Sequence, residues 1–174
     1  MSDEPDILLD QAFFQKHEKL FAQLLAEVTW DESMRARKTA SFGQPYDYSQ
    51  MSYVASEMLP CLDEVIDCLK ARLSITFNNC LLNYYETGQN TMGFHADETS
   101  GLQPGTGVAI VSLGGERTIS FRSTDQTCLV DYQLVPGSML YMDDNVQQNW
   151  THAIRKQKEA SPRISLTWRA IRSD

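Results

Sequence analysis

Apolar positions recur every three to four residues in two stretches near the start of the chain. Phe13, Phe14, Leu20, Phe21, Leu24, Leu25 and Val28 form the first stripe, which also carries His17; Leu59, Leu62, Val65, Ile66, Leu69 and Leu73 form the second. That period is helical, and Pro60 is compatible only with the first turn of the second helix. After residue 74 the period changes. Segments 75–85, 107–113, 117–122, 127–134, 138–142 and 163–171 are short and rich in β-branched and aromatic residues, with Gly, Pro, Asn and Asp clusters between them. This pattern predicts an α+β chain with a mostly β core. Two N-terminal helices would pack on one face of an antiparallel jelly roll of about eight short strands, not on a parallel α/β sheet.

Length and composition agree with that picture. At 174 residues, with 42% hydrophobic and 22% charged residues, the chain is expected to form a single domain over 1–174. Residues 1–75 would be the helical and lid part, and 76–174 the jelly-roll core. No run of eighteen apolar residues occurs, so no membrane partner is expected. The opening Met1-Ser2-Asp3-Glu4-Pro5-Asp6 is acidic where a secretory signal would be basic. Cys61, Cys68, Cys80 and Cys128 contain no Cys-x-x-Cys pair and read as reduced thiols. A cytoplasmic monomer is the expectation, with the nucleus as an alternative in a eukaryote.

The net charge is −8 and the isoelectric point near 4.8, which argues against a protein that clamps nucleic acid by bulk charge. The imbalance is local. Residues 1–114 hold seven basic and sixteen acidic side chains, whereas 115–174 hold eight and seven. The glycines of Gly101-Leu102-Gln103-Pro104-Gly105-Thr106-Gly107 read as a loop. No Gly-Lys-Ser/Thr follows them and no helix opens there, so they form no phosphate cradle.

Three histidines occur. His17 lies on a helical stripe and reads as structural. His95 stands in Gly93-Phe94-His95-Ala96-Asp97-Glu98 and His152 in Asn149-Trp150-Thr151-His152. In extended backbone residues two apart share a face, so His95 and Asp97 can converge. With a third ligand from a distant strand, two imidazoles and one carboxylate would occupy one side of a metal and leave the other open. That arrangement suits non-haem Fe(II). A surface pair across a turn has the same spacing. The stretch Arg163-Ile164-Ser165-Leu166-Thr167-Trp168-Arg169 alternates so that Arg163, Ser165, Thr167 and Arg169 share one face. Two inward guanidiniums are costly to bury without anions, and a dicarboxylate would meet both; an edge strand with a solvated polar face is the alternative. Asn83 and Tyr85 share a face in the same way and could hydrogen-bond that ligand.

Asn83-x-Tyr85, His95-x-Asp97, His152 and Arg163 with Arg169, in that order, resemble the AlkB family of iron(II)- and 2-oxoglutarate-dependent dioxygenases. The similarity extends through Arg37-Lys38, Phe42-Gly43, Tyr46-Asp47-Tyr48-Ser49, Ser112-Leu113-Gly114, Phe121-Arg122 and Pro136-Gly137-Ser138-Met139-Leu140. The resemblance implies a double-stranded β-helix with His95, Asp97 and His152 as iron ligands and catalytic centre. It implies Fe(II) as cofactor, with 2-oxoglutarate and O2 as co-substrates. Arg163 would pair with the distal carboxylate of 2-oxoglutarate, helped by Tyr85, while Arg169 and Asn83 would lie near its chelating end. Ser165 stands where the family usually has Asn, and Trp168 where it has Phe.

The implied reaction is the oxidative demethylation of N-alkylated bases, in which formaldehyde, succinate and CO2 leave, as in repair of DNA damage. Arg37, Phe42, Tyr46 and Tyr48 fall in the region that stacks on and hydrogen-bonds a flipped base in similar proteins, and Glu98 could contact an exocyclic amine. Arg155, Lys156 and Lys158 could meet phosphates. The acidic balance and the short Trp30–Arg37 segment, without an aromatic tip to wedge into a duplex, point to single-stranded DNA or RNA as partner. The same chemistry on a protein side chain or small metabolite is the alternative.

Overall fold

The computed structural model describes residues 2–48 and 51–173, without the side chains of Tyr48 and Met51. In chain order the elements are β1 (Leu8–Asp10), α1 (His17–Glu27), β2 (Lys38–Gly43), β3 (Tyr46–Tyr48) and β4 (Met51–Tyr53). A 3-10 turn at Pro60–Leu62 leads into α2 (Asp63–Leu73), then β5 (Asn79–Tyr85), β6 (Met92–His95), β7 (Val108–Gly114) and β8 (Arg117–Ser123). The chain continues through β9 (Leu129–Leu134), β10 (Met139–Met142), α3 (Asp144–Asn149), β11 (Trp150–Ile154) and β12 (Arg163–Arg169).

Both predicted N-terminal helices form. In the first, Phe13 and Phe14 precede the helix itself: Phe14 is buried and donates its N–H to the Gly137 carbonyl instead of entering the helical ladder. In the second, Pro60 opens the 3-10 turn, where its missing N–H costs nothing. Asp63 and Glu64 occupy the first turn of α2 and Lys70 and Arg72 the last, matching the helix dipole. Ser74 ends the helix in the left-handed conformation at φ 57°, returning its N–H to Lys70.

Two antiparallel sheets face each other, in the order β1-β10-β7-β12-β5-β2 and β6-β11-β8-β9. This is the expected jelly roll. The alternation of β12 decides how the layers divide. Ile164, Leu166 and Trp168 point out of the large sheet, where they join Leu82, Val111 and Leu113 beneath Leu20, Leu24, Val65 and Leu69 of the helices. The opposite face looks into the sandwich, which is closed by Val108, Ile110, Ile119, Phe121, Leu140 and Ile154. At the β7–β8 turn Gly114 adopts φ 82°, and a Cβ there would come within 2.5 Å of the Pro162 carbonyl. Only glycine lets β12 enter the sheet that closely.

Several elements depart from the sequence expectation. Strands β1 and β2, which fall in the part read as helical and lid, instead form the two edges of the large sheet, so the N-terminal part completes the core as well as covering it. The hairpin β3–β4 lies in the region read as lid. Strands β6 and β11, which carry the two pocket histidines, fall outside the predicted segments. They are four and five residues long, too short for alternation to stand out from loop sequence. The 75–85 segment begins its strand only at Asn79 and the 163–171 segment stops at Arg169. Beyond it, Ile171 makes an isolated bridge with Leu102.

Candidate metal and co-substrate site

Strand pairing brings the two histidines together. His152 of β11 lies directly opposite His95 of β6, and the rings approach to 4.4 Å between centroids. Strand β6 ends at His95, so the extended run through Asp97 is not found; Asp97 sits in an irregular segment just beyond. It converges nonetheless. Its Oδ2 lies 3.5 Å from His152 Nε2 and its Oδ1 4.0 Å from His95 Nε2. One ligand atom from each of the three residues lies within 4.8 Å of the other two, and among the described residues this is the group able to hold an ion. Ligands at right angles on roughly 2.1 Å bonds stand about 3 Å apart, so small side-chain adjustments close the set.

The protonation pattern suits a metal. The Nδ1 of His95 lies 2.8 Å from the Gly93 carbonyl. Donating that proton leaves Nε2 with its lone pair turned to the site. Burial lowers His152 to about 4, against the pull of the Asp97 charge, so it is neutral at pH 7. Burial would raise Asp97, but Arg169 and the two imidazoles outweigh it and bring the carboxyl to about 2. A neutral imidazole at His152 and a carboxylate at Asp97 are donors that a hard-to-borderline divalent ion takes.

Behind the triad lies a cavity lined by Asn83, Tyr85, Arg163, Ser165, Thr167 and Arg169, together with apolar side chains. Register explains the convergence: Arg163 pairs with Tyr85 and Ser165 with Asn83 across β12 and β5. Arg163 is buried and gives Nη2 to Ser112 Oγ at 2.9 Å, while its guanidinium packs 5.3 Å from the Tyr85 ring centroid. Its Nε and Nη1 have no hydrogen-bond partner. Arg169 ion-pairs with Asp97 at 2.6 Å and leaves its own Nε and Nη1 unpartnered, as is Asn83 Nδ2. Burial drives Arg163 down to about 10, the cost of a cation with no anion beside it. Five orphaned donors pointing into one cavity fit a dicarboxylate such as 2-oxoglutarate, which offers acceptors at both ends.

The residues expected to contact substrate are more dispersed. Tyr46 lies over the Arg169 guanidinium, 4.1 Å from ring centroid to Cζ. Arg37 is buried, giving Nε to Asn83 Oδ1 at 2.8 Å and Nη1 to the Thr91 carbonyl. It thereby turns the Asn83 amide nitrogen toward the cavity. Glu98 is exposed and accepts from the Ser100 N–H. Phe42 packs in the seam between sheet and helices. Arg155 pairs with Asp131, whereas Lys156 and Lys158 are exposed. The side chain of Tyr48 lies outside the described residues.

Sequence reasoning missed Arg117 and Gln147, and named Ser112 without giving it a role. Arg117 is buried and donates to the carbonyls of Thr87, Asn90 and Arg155, tying two loops beneath the Tyr85 ring. Gln147 reaches Asp97 from α3. A charged residue ending a β-turn and an amide in a six-residue helix carry no periodic signature, so neither stands out without the coordinates.

A jelly roll holding two histidines and one carboxylate at its mouth, with buried arginines behind, has the architecture of a mononuclear non-haem iron oxygenase. Residues 8–169 match the 2OG-Fe(II) oxygenase superfamily. The chain belongs to that superfamily and, within it, to the AlkB family of Fe(II)- and 2-oxoglutarate-dependent dioxygenases. It is 31% identical over 147 residues, 78% of its length, to the human DNA oxidative demethylase ALKBH2. It is 27% identical over 176 residues to the mouse alpha-ketoglutarate-dependent dioxygenase alkB homolog 3. It spans 56% and 62% of the lengths of these two proteins. The solved structure of OsALKBH1 superposes with a TM-score of 0.72 over 95% of this chain and 98% of that one, at 16% identity, and so shares the fold.

Proposed function

We propose that this protein oxidatively demethylates N-alkylated bases in nucleic acid, acting on single-stranded DNA or RNA and releasing formaldehyde. The observation that carries this reading is the convergence on one cavity of orphaned guanidinium donors from Arg163 and Arg169 with the His95, Asp97 and His152 set, the Tyr46 ring lying against Arg169. When bound, iron(II) and 2-oxoglutarate supply an oxygen-activating oxidation that hydroxylates a C–H bond. The chain's own residues do the rest. His95, Asp97 and His152 would hold the metal. Arg163, with Tyr85 beside it, would receive the distal carboxylate, and Asn83 and Arg169 the chelating end, with Ser165 between them. Arg163 and Arg169 would each exchange a solvation debt for a charge-assisted hydrogen bond as the co-substrate enters. The buried wall of Ile110, Ile119, Leu134 and Ile154 excludes water from the oxidation.

Tyr46 offers a flat, partly polar face for a base, and Glu98, next to Asp97 in the chain, is exposed to meet an exocyclic amine. The single-strand preference follows from charge. The net charge of −8 opposes the many phosphate contacts a duplex reader makes. Asp125 folds the β8–β9 turn onto itself by accepting from Ser123 and Thr127 and adds no basic residue there. A base already unstacked also costs less to present. The test is formaldehyde release from a panel of N-methylated DNA and RNA oligonucleotides, single- and double-stranded. Release from single strands, lost in His95→Ala, is expected. No release from any of them, while 2-oxoglutarate still turns over to succinate in a His95-dependent way, would move the substrate to a protein side chain or a metabolite.

A further inference from the structure

Asp97 stands outside any strand, yet it is the ligand on which the metal site closes, so something other than the sheet must hold it. Helix α3 does so through three hydrogen bonds. Gln147 Oε1 accepts the Asp97 backbone N–H at 2.8 Å, and Gln147 Nε2 donates to Asp97 Oδ2 at 3.3 Å. One turn earlier, Asp144 Oδ1 accepts from Thr99 Oγ1 at 2.6 Å, fixing the segment just past Asp97. Gln147 is buried, and Asp143 caps the helix by accepting from the Val146 N–H at 2.9 Å. The same helix runs directly into β11, so Gln147 and His152 belong to one continuous piece of backbone.

Resting on the metal-site reading above, we infer that Gln147 is the positioning residue of the centre: it orients the Asp97 carboxylate and couples it to His152. The two oxygens are divided by this clamp. Arg169 takes Oδ1 at 2.6 Å, while Gln147 steers Oδ2 to the side of His152 Nε2. Asp97 is thereby presented with one oxygen for a metal and the other engaged by a guanidinium. A primary amide is the side chain that both accepts the backbone N–H and donates to the carboxylate. Glutamate keeps the acceptor but sets a second negative charge against Asp97, and methionine keeps the volume but removes both bonds.

The test compares the parent, Gln147→Glu, Gln147→Met and His95→Ala by Co(II) titration, read from the visible d–d absorption, with the apoprotein melting temperature measured alongside. Loss of outer hydrogen-bond partners typically weakens metal binding by about 10- to 100-fold. Both Gln147 variants are therefore expected to raise the Co(II) dissociation constant at least about tenfold, with a smaller melting shift on metal addition than the parent shows. A purely structural Gln147 would lower the melting temperature equally with and without metal and leave the dissociation constant within about twofold, which overturns the inference. Should Gln147→Met not fold, Gln147→Glu decides alone, because it retains the bond to the Asp97 N–H. If His95→Ala binds Co(II) like the parent, the metal-site reading itself fails, and that outcome is distinct from a failure of the clamp.

Discussion

Replacing Arg163 by methionine separates the co-substrate's needs from the fold's. Arg163 is 1% exposed, and its guanidinium donates to Ser112 beside the Tyr85 ring. Its Nε and Nη1 are unsatisfied. A side chain in that state costs stability, and a methionine of similar reach relieves the desolvation while filling the space. The apoprotein of Arg163→Met is therefore expected to melt no lower than the parent. Co-substrate binding should move the other way. Two charge-assisted hydrogen bonds, at about 1.5–3 kcal/mol each, disappear together with the paired charge. A loss of about 3–5 kcal/mol raises the 2-oxoglutarate dissociation constant on the order of 10²- to 10³-fold or more. Anaerobic calorimetric titration of 2-oxoglutarate into the Mn(II)-loaded protein measures this directly, and differential scanning calorimetry gives the apoprotein comparison. Arg163→Lys, which keeps the charge without the fork, should fall between. A dissociation constant within about threefold of the parent in the methionine variant would refute the assignment of this arginine to the co-substrate.

The remaining expectations concern other parts of the same frame. His152 titrates at about 4 in the fold and at about 6.5 in an unfolded chain. Between those values only the unfolded chain takes the proton, so apoprotein stability is full above pH 6.5 and declines as the pH falls toward 4. Urea midpoints across this window should drop in the parent and drop less in His152→Gln. Arg117→Met should destabilise the protein by about 3–5 kcal/mol in urea denaturation, because three loop carbonyls lose their donor at once; a change under 1 kcal/mol would show that the loops hold without it. Tyr46→Ala should raise KM for a single-stranded methylated oligonucleotide by roughly 1–3 kcal/mol equivalent through lost stacking, with Tyr46→Phe close to the parent. Equal KM values in all three would take Tyr46 out of the substrate path.

How much of this was legible before the coordinates depended on the length of each signal. The seven residues of β12 alternate without a break, and the structure sorts them as the alternation demands, with Arg163, Ser165, Thr167 and Arg169 on the cavity face and Ile164, Leu166 and Trp168 under the helices. Asn83 and Tyr85 follow suit because β5 is equally long and pairs with β12 along its whole length. The histidine strands behaved differently. Spacing lets His95 and Asp97 converge and the resemblance to the AlkB family adds His152 to them, but the strands themselves are too short to be seen. Arg37 illustrates a third case: it reads as a substrate contact, yet β2 joins the sheet beside β5 and the guanidinium is carried inward to Asn83. Sequence reports which groups are available; pairing partners decide which way they face.

Arg169 is where these strands of argument meet. One guanidinium touches the carboxylate of Asp97, lies against the Tyr46 ring, and leaves two nitrogens unpartnered beside the cavity. A cation in a site of this size cannot satisfy all three neighbours independently, because burial denies it water to fill the gaps. Whatever occupies the cavity therefore shares donors with Asp97. An anion entering there adds acceptors to a guanidinium already bonded to Asp97 and stacked on Tyr46, which makes the cavity, the carboxylate and the Tyr46 ring a single electrostatic unit. The same linkage places the deepest positive charges of an acidic protein where no solvent reaches them.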